Sequence, residues 1–164
     1  MRIPLLVAVL AALAAGATVA LASDGSGEEQ AQLPAGLPRD IAGYERWTKL
    51  NFRPLPSRGG TAHHGVKRVY VNRSRAVLAP GGKQRFPYPN GTLVVKTGSE
   101  GGVVTLVAIG RKRRGTDRAH ADWQFVEYTR SRAGERFGEI ARGQVCYGCH
   151  VGAKRTDWIF TPAD

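Results

Sequence analysis

The segment GQVCYGCHVG, residues 143–152, contains the only two cysteines of the chain, Cys146 and Cys149, and His150 follows the second directly. A disulfide between residues so close in sequence would close a very short loop and would stabilise the fold little. A thioredoxin-like dithiol would need a βαβ context, which the surrounding sequence lacks. A zinc site needs four ligands, and the other histidines are not at zinc-ligand spacing. What chemistry Cys146, Cys149 and His150 perform therefore depends on whether the protein stays in the cytoplasm or is exported.

The start of the chain predicts export. One basic residue, Arg2, precedes an uncharged and mostly apolar run over residues 3–22, which ends in Ala20-Leu21-Ala22 before a polar segment. This layout is typical of a secretory signal peptide covering residues 1–22. The run is also long enough to act as an uncleaved membrane anchor. Both interpretations place the rest of the chain outside the cytoplasm, and we expect it in the periplasm.

In an exported chain, C-x-x-C-H is the attachment motif of a c-type haem. We therefore predict one covalent haem c per chain. The thiols of Cys146 and Cys149 bond to the haem vinyl groups, and His150 is the proximal ligand of the iron.

The sixth position of the iron decides the activity. Electron-transfer cytochromes c often use methionine there, but the only methionine is Met1, inside the predicted signal peptide. A bis-histidine haem would need His63, His64 or His120. Otherwise the position is open and binds small molecules such as NO. The sequence around the two adjacent histidines resembles a loop, which favours the open site.

The remaining pattern predicts one α+β domain, predominantly an antiparallel β-sheet with a few helices. Short β-branched and aromatic runs between glycine-rich turns predict strands at residues 66–72, 91–98, 102–110 and 123–130. Apolar residues at helical spacing predict helices at residues 39–50 and 134–147. Residues 23–36, rich in Ser, Gly, Glu and Gln, are predicted to be a flexible segment, and residues 37–164 the haem domain.

The charge of the chain indicates its partners. The sequence has 24 Lys and Arg against 13 Asp and Glu, a net charge of +11. Such an excess attracts acidic proteins, anionic membrane surfaces or anionic small molecules. Nucleic acid is a poor partner outside the cytoplasm, and the positive charge suits docking to an acidic redox partner protein.

Four segments carry a family resemblance: HHGVKRVYVN (63–72), YPNGTLVVK (88–96), DWQF (122–125) and CYGCHVGAKRTDWIFT (146–161). In this order they resemble the cytochrome P-460 family, with its related cytochrome c′-beta group, from about Tyr44 to the C-terminus. The resemblance implies a large antiparallel sheet with a few helices, one c-type haem per subunit and a homodimer.

The resemblance also gives Lys96 a role. In cytochromes P-460 the lysine at this strand end is bonded through its amine to a meso carbon of the haem, whereas the c′-beta relatives lack that bond. Thr92, Val94 and Lys96 share one face of a strand, so a buried Val94 implies an inward Lys96. A strand-end lysine with its ammonium in water is the alternative.

Hydroxylamine-oxidising members of that family carry a glutamate over the distal face of the haem. Counting without gaps places that position near Val107, and residues 101–116 contain no Asp or Glu. We therefore predict an apolar distal pocket at Val107, with Phe86 or Tyr88 as aromatic caps. Without a general base, such a pocket favours neutral diatomics over proton-coupled oxidation.

The main prediction is thus an exported monohaem c-type cytochrome with an open distal site that binds NO or a related small nitrogen compound. Two alternatives remain open. One is an enzyme that oxidises hydroxylamine or NO at a Lys96-cross-linked haem. The other is a bis-histidine electron-transfer cytochrome.

Overall fold

The computed structural model describes residues 32–57 and 62–160. The predicted signal peptide and most of the segment 23–36 lie outside the described residues. Within the described ranges, no helix has the length and apolar character needed to cross a membrane.

In the described part of the chain, one antiparallel sheet forms the centre of the fold, as predicted. Its six strands follow each other in chain order, so each strand pairs with the next one along the sequence. The strands are β1 (Thr48–Lys49), β2 (Val66–Val71), β3 (Leu93–Glu100), β4 (Val103–Lys112), β5 (Trp123–Thr129) and β6 (Gly138–Arg142). The four strands predicted from the sequence correspond to β2–β5.

The helices are short. The α-helices are α1 (Ser74–Val77) and α2 (Gln144–His150), and the 3₁₀ turns are Arg39–Ile41, Tyr44–Arg46, Pro80–Gly82, Arg118–His120 and Val151–Thr156. The fold is therefore α+β and dominated by strands.

The helix predicted at residues 39–50 is wrong. Two 3₁₀ turns and β1 occupy this segment. Gly43 separates the turns with a φ of 72°, a left-handed conformation that glycine adopts without steric cost and that ends a helix. Ile41 and Tyr44 are nevertheless buried, because an irregular chain crossing an apolar surface also buries residues three apart.

The helix predicted at residues 134–147 is also wrong over most of its length. Its first half contains β6, which pairs with β5, and only its end belongs to α2. Phe137 is buried, but Ile140 is 60% exposed and Val145 is 71% exposed, so they do not form the predicted core stripe. Gly143, with a φ of 61°, separates the strand from the helix.

The two faces of the sheet are covered differently. We call one the site face; its core includes Val69, Val94 and Phe125, and α2 and the segment 151–160 cover it. The back face has its own core, which includes Val95 and Val107, and the N-terminal segment covers it together with Phe137. Residues 32–36 contribute to this cover, since Leu33 packs on the back-face core and the Ala35 carbonyl accepts a hydrogen bond from Phe137 N–H.

Candidate functional site

A cavity of about 820 Å³ lies on the site face, between the sheet and the C-terminal segment that contains α2. This volume is within the range of cofactor and ligand sites. The lining is mostly apolar, and its chemically distinctive side chains are His63, Lys67, Lys96, Glu127, Cys146, Cys149 and His150.

The floor of the cavity is one transverse row of the sheet. The strand register pairs Val69 with Lys96, Lys96 with Ala108, Ala108 with Glu127 and Glu127 with Ala141. Directly paired residues of an antiparallel sheet project to the same face. The row therefore holds an amine and a carboxylate on either side of a small alanine, which leaves space above the centre of the sheet.

Helix α2 supplies both thiols and the imidazole. Cys146 and His150 are four residues apart and so lie on one face of the helix, and Cys149 is the neighbour of His150. Both cysteines are free thiols, the first half-buried and the second exposed. Burial is the largest cause that raises the pKa of the Cys146 thiol, and Glu127 adds to it.

The imidazole of His150 is held in one orientation. Its Nδ1 lies 2.6 Å from the carbonyl oxygen of Trp158, and its ring packs 4.1 Å from the ring of Phe125. Because a carbonyl only accepts, Nδ1 must carry the proton, which leaves the Nε2 lone pair available. Burial lowers the pKa of His150, so the ring is kept neutral. A neutral imidazole fixed through its second nitrogen is the form that binds metal ions.

Lys96 faces the cavity on the same side of β3 as Val94. Burial in the cavity wall is the largest cause that lowers its pKa, the positive charge of Lys67 adds to it and Glu127 opposes it, and the resulting pKa is about 8. A pKa of about 8 leaves about one amine in ten neutral at pH 7, against about one in three thousand for an ordinary lysine. Lys96 is therefore far more nucleophilic at neutral pH than a surface lysine.

Glu127 is a carboxylate in the cavity that the sequence analysis missed. The residue is 7% exposed, and its Oε1 has no hydrogen-bond partner among the described residues. Its Oε2 lies 3.5 Å from Nε2 of His63. Burial raises the pKa of Glu127, although Lys96 opposes the shift. Residues 101–116, where the family glutamate was expected, contain β4, whereas the carboxylate comes from β5. The alternation of Trp123, Phe125 and Glu127 on one strand face was the signal that could have found it.

The predicted distal residues lie elsewhere, which corrects the apolar pocket. Val107 is completely buried in the back-face core. The β4 residue in the cavity is its neighbour Ala108, because successive residues of a strand point to opposite faces. Phe86 is 39% exposed. Tyr88 packs edge-on against Trp123, with ring centres 5.8 Å apart, and the cavity lining includes neither aromatic residue.

Of the three histidines proposed as a second iron ligand, the structure places only His63 in the cavity. His63 lines the cavity, and its ring centre lies 6.3 Å from that of His150. Burial, followed by the charge of Lys96, lowers the pKa of His63 to about 3, so this ring is neutral. His64 pairs through Nε2 with the Thr105 hydroxyl at 3.2 Å. His120 is stacked on Tyr147 at 3.6 Å outside the cavity lining.

The sequence model of one protein family matches the chain. It is described as cytochrome P460 and covers residues 41–161, a range that includes every cavity side chain named above. Among curated proteins, none matches the chain.

Proposed function

The chain belongs to the cytochrome P460 family and is a haem cytochrome, and from this premise we propose that it carries one c-type haem, bonded to Cys146 and Cys149, in the periplasm. The side chains of the cavity fit this cofactor. Both thiols and the imidazole project from α2 into a space of about 820 Å³, and His150 presents a neutral ring with its Nε2 free to ligate iron.

The activity that the geometry supports best is oxidation of a small nitrogen compound, hydroxylamine or NO, in this cavity. The observation that carries it is the buried Oε1 of Glu127, which has no hydrogen-bond donor among the described residues. A bound haem would supply an iron centre that binds the substrate and passes its electrons to an external acceptor, for which we propose the acidic redox partner protein. Glu127 then accepts the proton that a hydroxylamine substrate must release, a role that an apolar pocket could not provide.

Lys96 supports the same proposal from the other side of the row. By the resemblance it corresponds to the family lysine that bonds to the haem, and its lowered pKa leaves a fraction of the amine neutral at pH 7. We propose that this amine contacts the edge of the macrocycle and that it is the site of a cross-link.

A second candidate function is electron transfer by a bis-histidine haem. The distance of 6.3 Å between the ring centres of His63 and His150 favours it. Metal–imidazole bonds of about 2 Å on opposite sides of one ion would place two ring centres about 6 Å apart. In this case His63 occupies the sixth position, and the protein passes electrons without binding a substrate.

The first experiment is the optical spectrum of the dithionite-reduced protein, made in a host that matures c-type cytochromes. A broad, strongly red-shifted main band is expected for a Lys96 cross-link, and Lys96→Met should return it to an ordinary c-type position. A normal five-coordinate band that shifts on addition of NO would indicate a gas-binding protein without the cross-link. A sharp low-spin spectrum indifferent to NO would select the electron-transfer candidate.

Covalent attachment is tested separately by denaturing electrophoresis with haem staining. The wild-type chain should keep its haem in denaturant, and Cys146→Ala with Cys149→Ala should lose it. Haem that leaves the wild-type chain under these conditions would disprove the c-type assignment.

A further inference from the structure

We propose that the buried ion pair between Lys112 and Asp157 is a positioning device for the proximal histidine. The pair aims the Trp158 carbonyl at His150 and thereby lowers the reduction potential of the iron. This inference rests on the proposed role of His150 as an iron ligand. It assigns a function to two charged residues that touch neither the cavity thiols nor the imidazole.

The backbone around the carbonyl is strained. Asp157 has a φ of 52° and Trp158 a φ of 66°, and both are in the left-handed region that residues with a Cβ rarely adopt. Two such residues in succession are not expected unless other contacts hold them. The result of this conformation is that the Trp158 carbonyl turns back towards α2, where it accepts the His150 Nδ1–H at 2.6 Å.

Backbone hydrogen bonds hold part of the turn, since Asp157 N–H donates to the Lys154 carbonyl and Trp158 N–H to the Ala153 carbonyl. The side-chain hydrogen bonds and the ion pair that hold it converge on the Asp157 carboxylate. Lys112 Nζ lies 2.7 Å from its Oδ1 and 2.6 Å from its Oδ2, and the backbone N–H of Tyr88 donates to Oδ2 at 2.8 Å. The Lys112 and Asp157 side chains are only 11% and 6% exposed, so water cannot easily replace either partner. Lys112 is the last residue of β4, and the rigid sheet therefore fixes the turn that carries the carbonyl.

The electronic consequence follows from the hydrogen bond. An imidazole that donates its Nδ1–H strongly to a carbonyl is a more basic ligand through Nε2. A more basic ligand favours the ferric over the ferrous state and lowers the potential. Releasing the turn should lengthen this hydrogen bond and raise the potential, even though neither charged residue contacts His150.

The test compares Lys112→Met with Asp157→Asn in the haem-loaded protein and measures the midpoint potential. The positioning role predicts that both variants raise it, because each releases the same turn. A direct effect of charge predicts opposite signs: loss of the ammonium would lower the potential, and loss of the carboxylate would raise it. A lowered potential in Lys112→Met would overturn the proposal. So would a potential equal to the wild-type value.

Asp40→Asn is the matched control. Asp40 pairs with Arg111 at 2.7 Å, and Arg111 is the neighbour of Lys112 on β4 but points to the opposite side of the sheet. This variant also loses one carboxylate from an ion pair, and its potential should stay at the wild-type value. A rise equal to that of Asp157→Asn would mean that the potential follows net charge, and the positioning role would be wrong.

The double variant Lys112→Met/Asp157→Asn covers the case in which a single variant fails to fold, since it leaves no unpaired buried charge. We expect its potential to rise by about as much as in either single variant rather than by their sum. The iron–histidine stretching frequency of the reduced protein should fall in parallel. If the wild-type chain itself carries no covalent haem, the proposed function fails, whereas an unchanged potential in loaded variants rejects the positioning role alone.

Discussion

Glu127 combines three features that are unusual together at one residue: a buried carboxylate, an oxygen without a hydrogen-bond donor among the described residues, and an imidazole 3.5 Å from its other oxygen. Burying a charge without full compensation is costly and favours the neutral form. The raised pKa of Glu127 brings its titration closer to neutral pH, where a carboxylate is most useful as an acceptor of protons. Substitution of Glu127 therefore tests most directly whether the cavity catalyses an oxidation or only binds a ligand.

Replacing Glu127 with Gln removes the proton acceptor but keeps the shape of the side chain. We expect kcat/KM for hydroxylamine oxidation to fall by about 100-fold or more, the usual contribution of a general base. Haem content should not change. Because the base must be ionised, the wild-type rate should rise with pH through the raised pKa of Glu127, and the variant should lose this limb. Steady-state kinetics between pH 4 and 9 measure both effects.

Glu139→Gln is the control for this prediction. Glu139 lies on β6, next to the strand of Glu127, but is exposed and pairs with Arg142. Its replacement should leave the rate and its pH dependence unchanged. If Glu127→Gln oxidises hydroxylamine at the wild-type rate, Glu127 is not the base. The function of the cavity would then be the binding of NO.

At the scale of elements, the segment that contains His63 lies directly against strand β3. A Cβ added to Gly98 would collide with the backbone oxygen of His64 and would lie 3.2 Å from the Leu106 side chain. This glycine does not have a positive φ, so the requirement is steric rather than conformational. The absence of a side chain at Gly98 therefore allows residues 62–65 to lie against the sheet and brings His63 over the cavity.

Gly98→Ala should displace that segment. Overpacking of this kind typically costs about 1–3 kcal/mol, and urea denaturation of the loaded protein should show a loss of unfolding free energy in this range. Any spectral feature that depends on His63 should be lost at the same time. In Gly138→Ala, the control on β6, the added Cβ meets nothing within 4 Å, and the unfolding free energy should change by less than about 0.5 kcal/mol. Equal stability of the two variants would contradict the close packing of residues 62–65 on β3.

The sequence predicted secondary structure correctly where a short run of neighbouring residues determines it. The strands β2–β5 were predictable because β-branched runs between glycine turns favour strands by themselves, and the thiols and imidazole because their motif is contiguous. The helices predicted at residues 39–50 and 134–147 failed because apolar spacing reports burial, which turns and strands also produce. The prediction that Val107 lines the cavity was wrong because a shift of one residue moves a side chain to the other face of a strand. Only the pairing of β4 with β5 shows that Ala108 and Glu127 share the cavity floor.

At the scale of the whole molecule, both faces of the sheet carry an apolar core, but the reactive side chains of the cavity lie on one face only. The back face is filled with large apolar residues and closed by the N-terminal segment. On the site face, Ala108, Gly110 and Ala141 line the cavity with small side chains. Burial of a large apolar residue stabilises a fold by about 1.5–3 kcal/mol, so the dense back face can compensate for charged groups held on the opposite side.

The net charge of +11 leads to a prediction about association rather than about the fold. Electrostatic steering accelerates encounters between oppositely charged proteins, and it weakens as the screening length falls from about 30 Å at 0.01 M salt to about 8 Å at 0.15 M. The second-order rate of electron exchange with a small acidic redox protein should therefore fall by about tenfold or more over this range, as measured by stopped-flow absorbance. Exchange with an uncharged chemical reductant is the control and should be nearly independent of salt. Arg113→Glu should reduce the rate further at low salt. Arg113 lines a groove with Arg39, Arg111 and Arg142, in which Asp40 is the one carboxylate of the described lining, and an acidic partner would meet a reversed charge there. A rate with the acidic protein that does not respond to salt would exclude electrostatic docking and, with it, the proposed acidic partner.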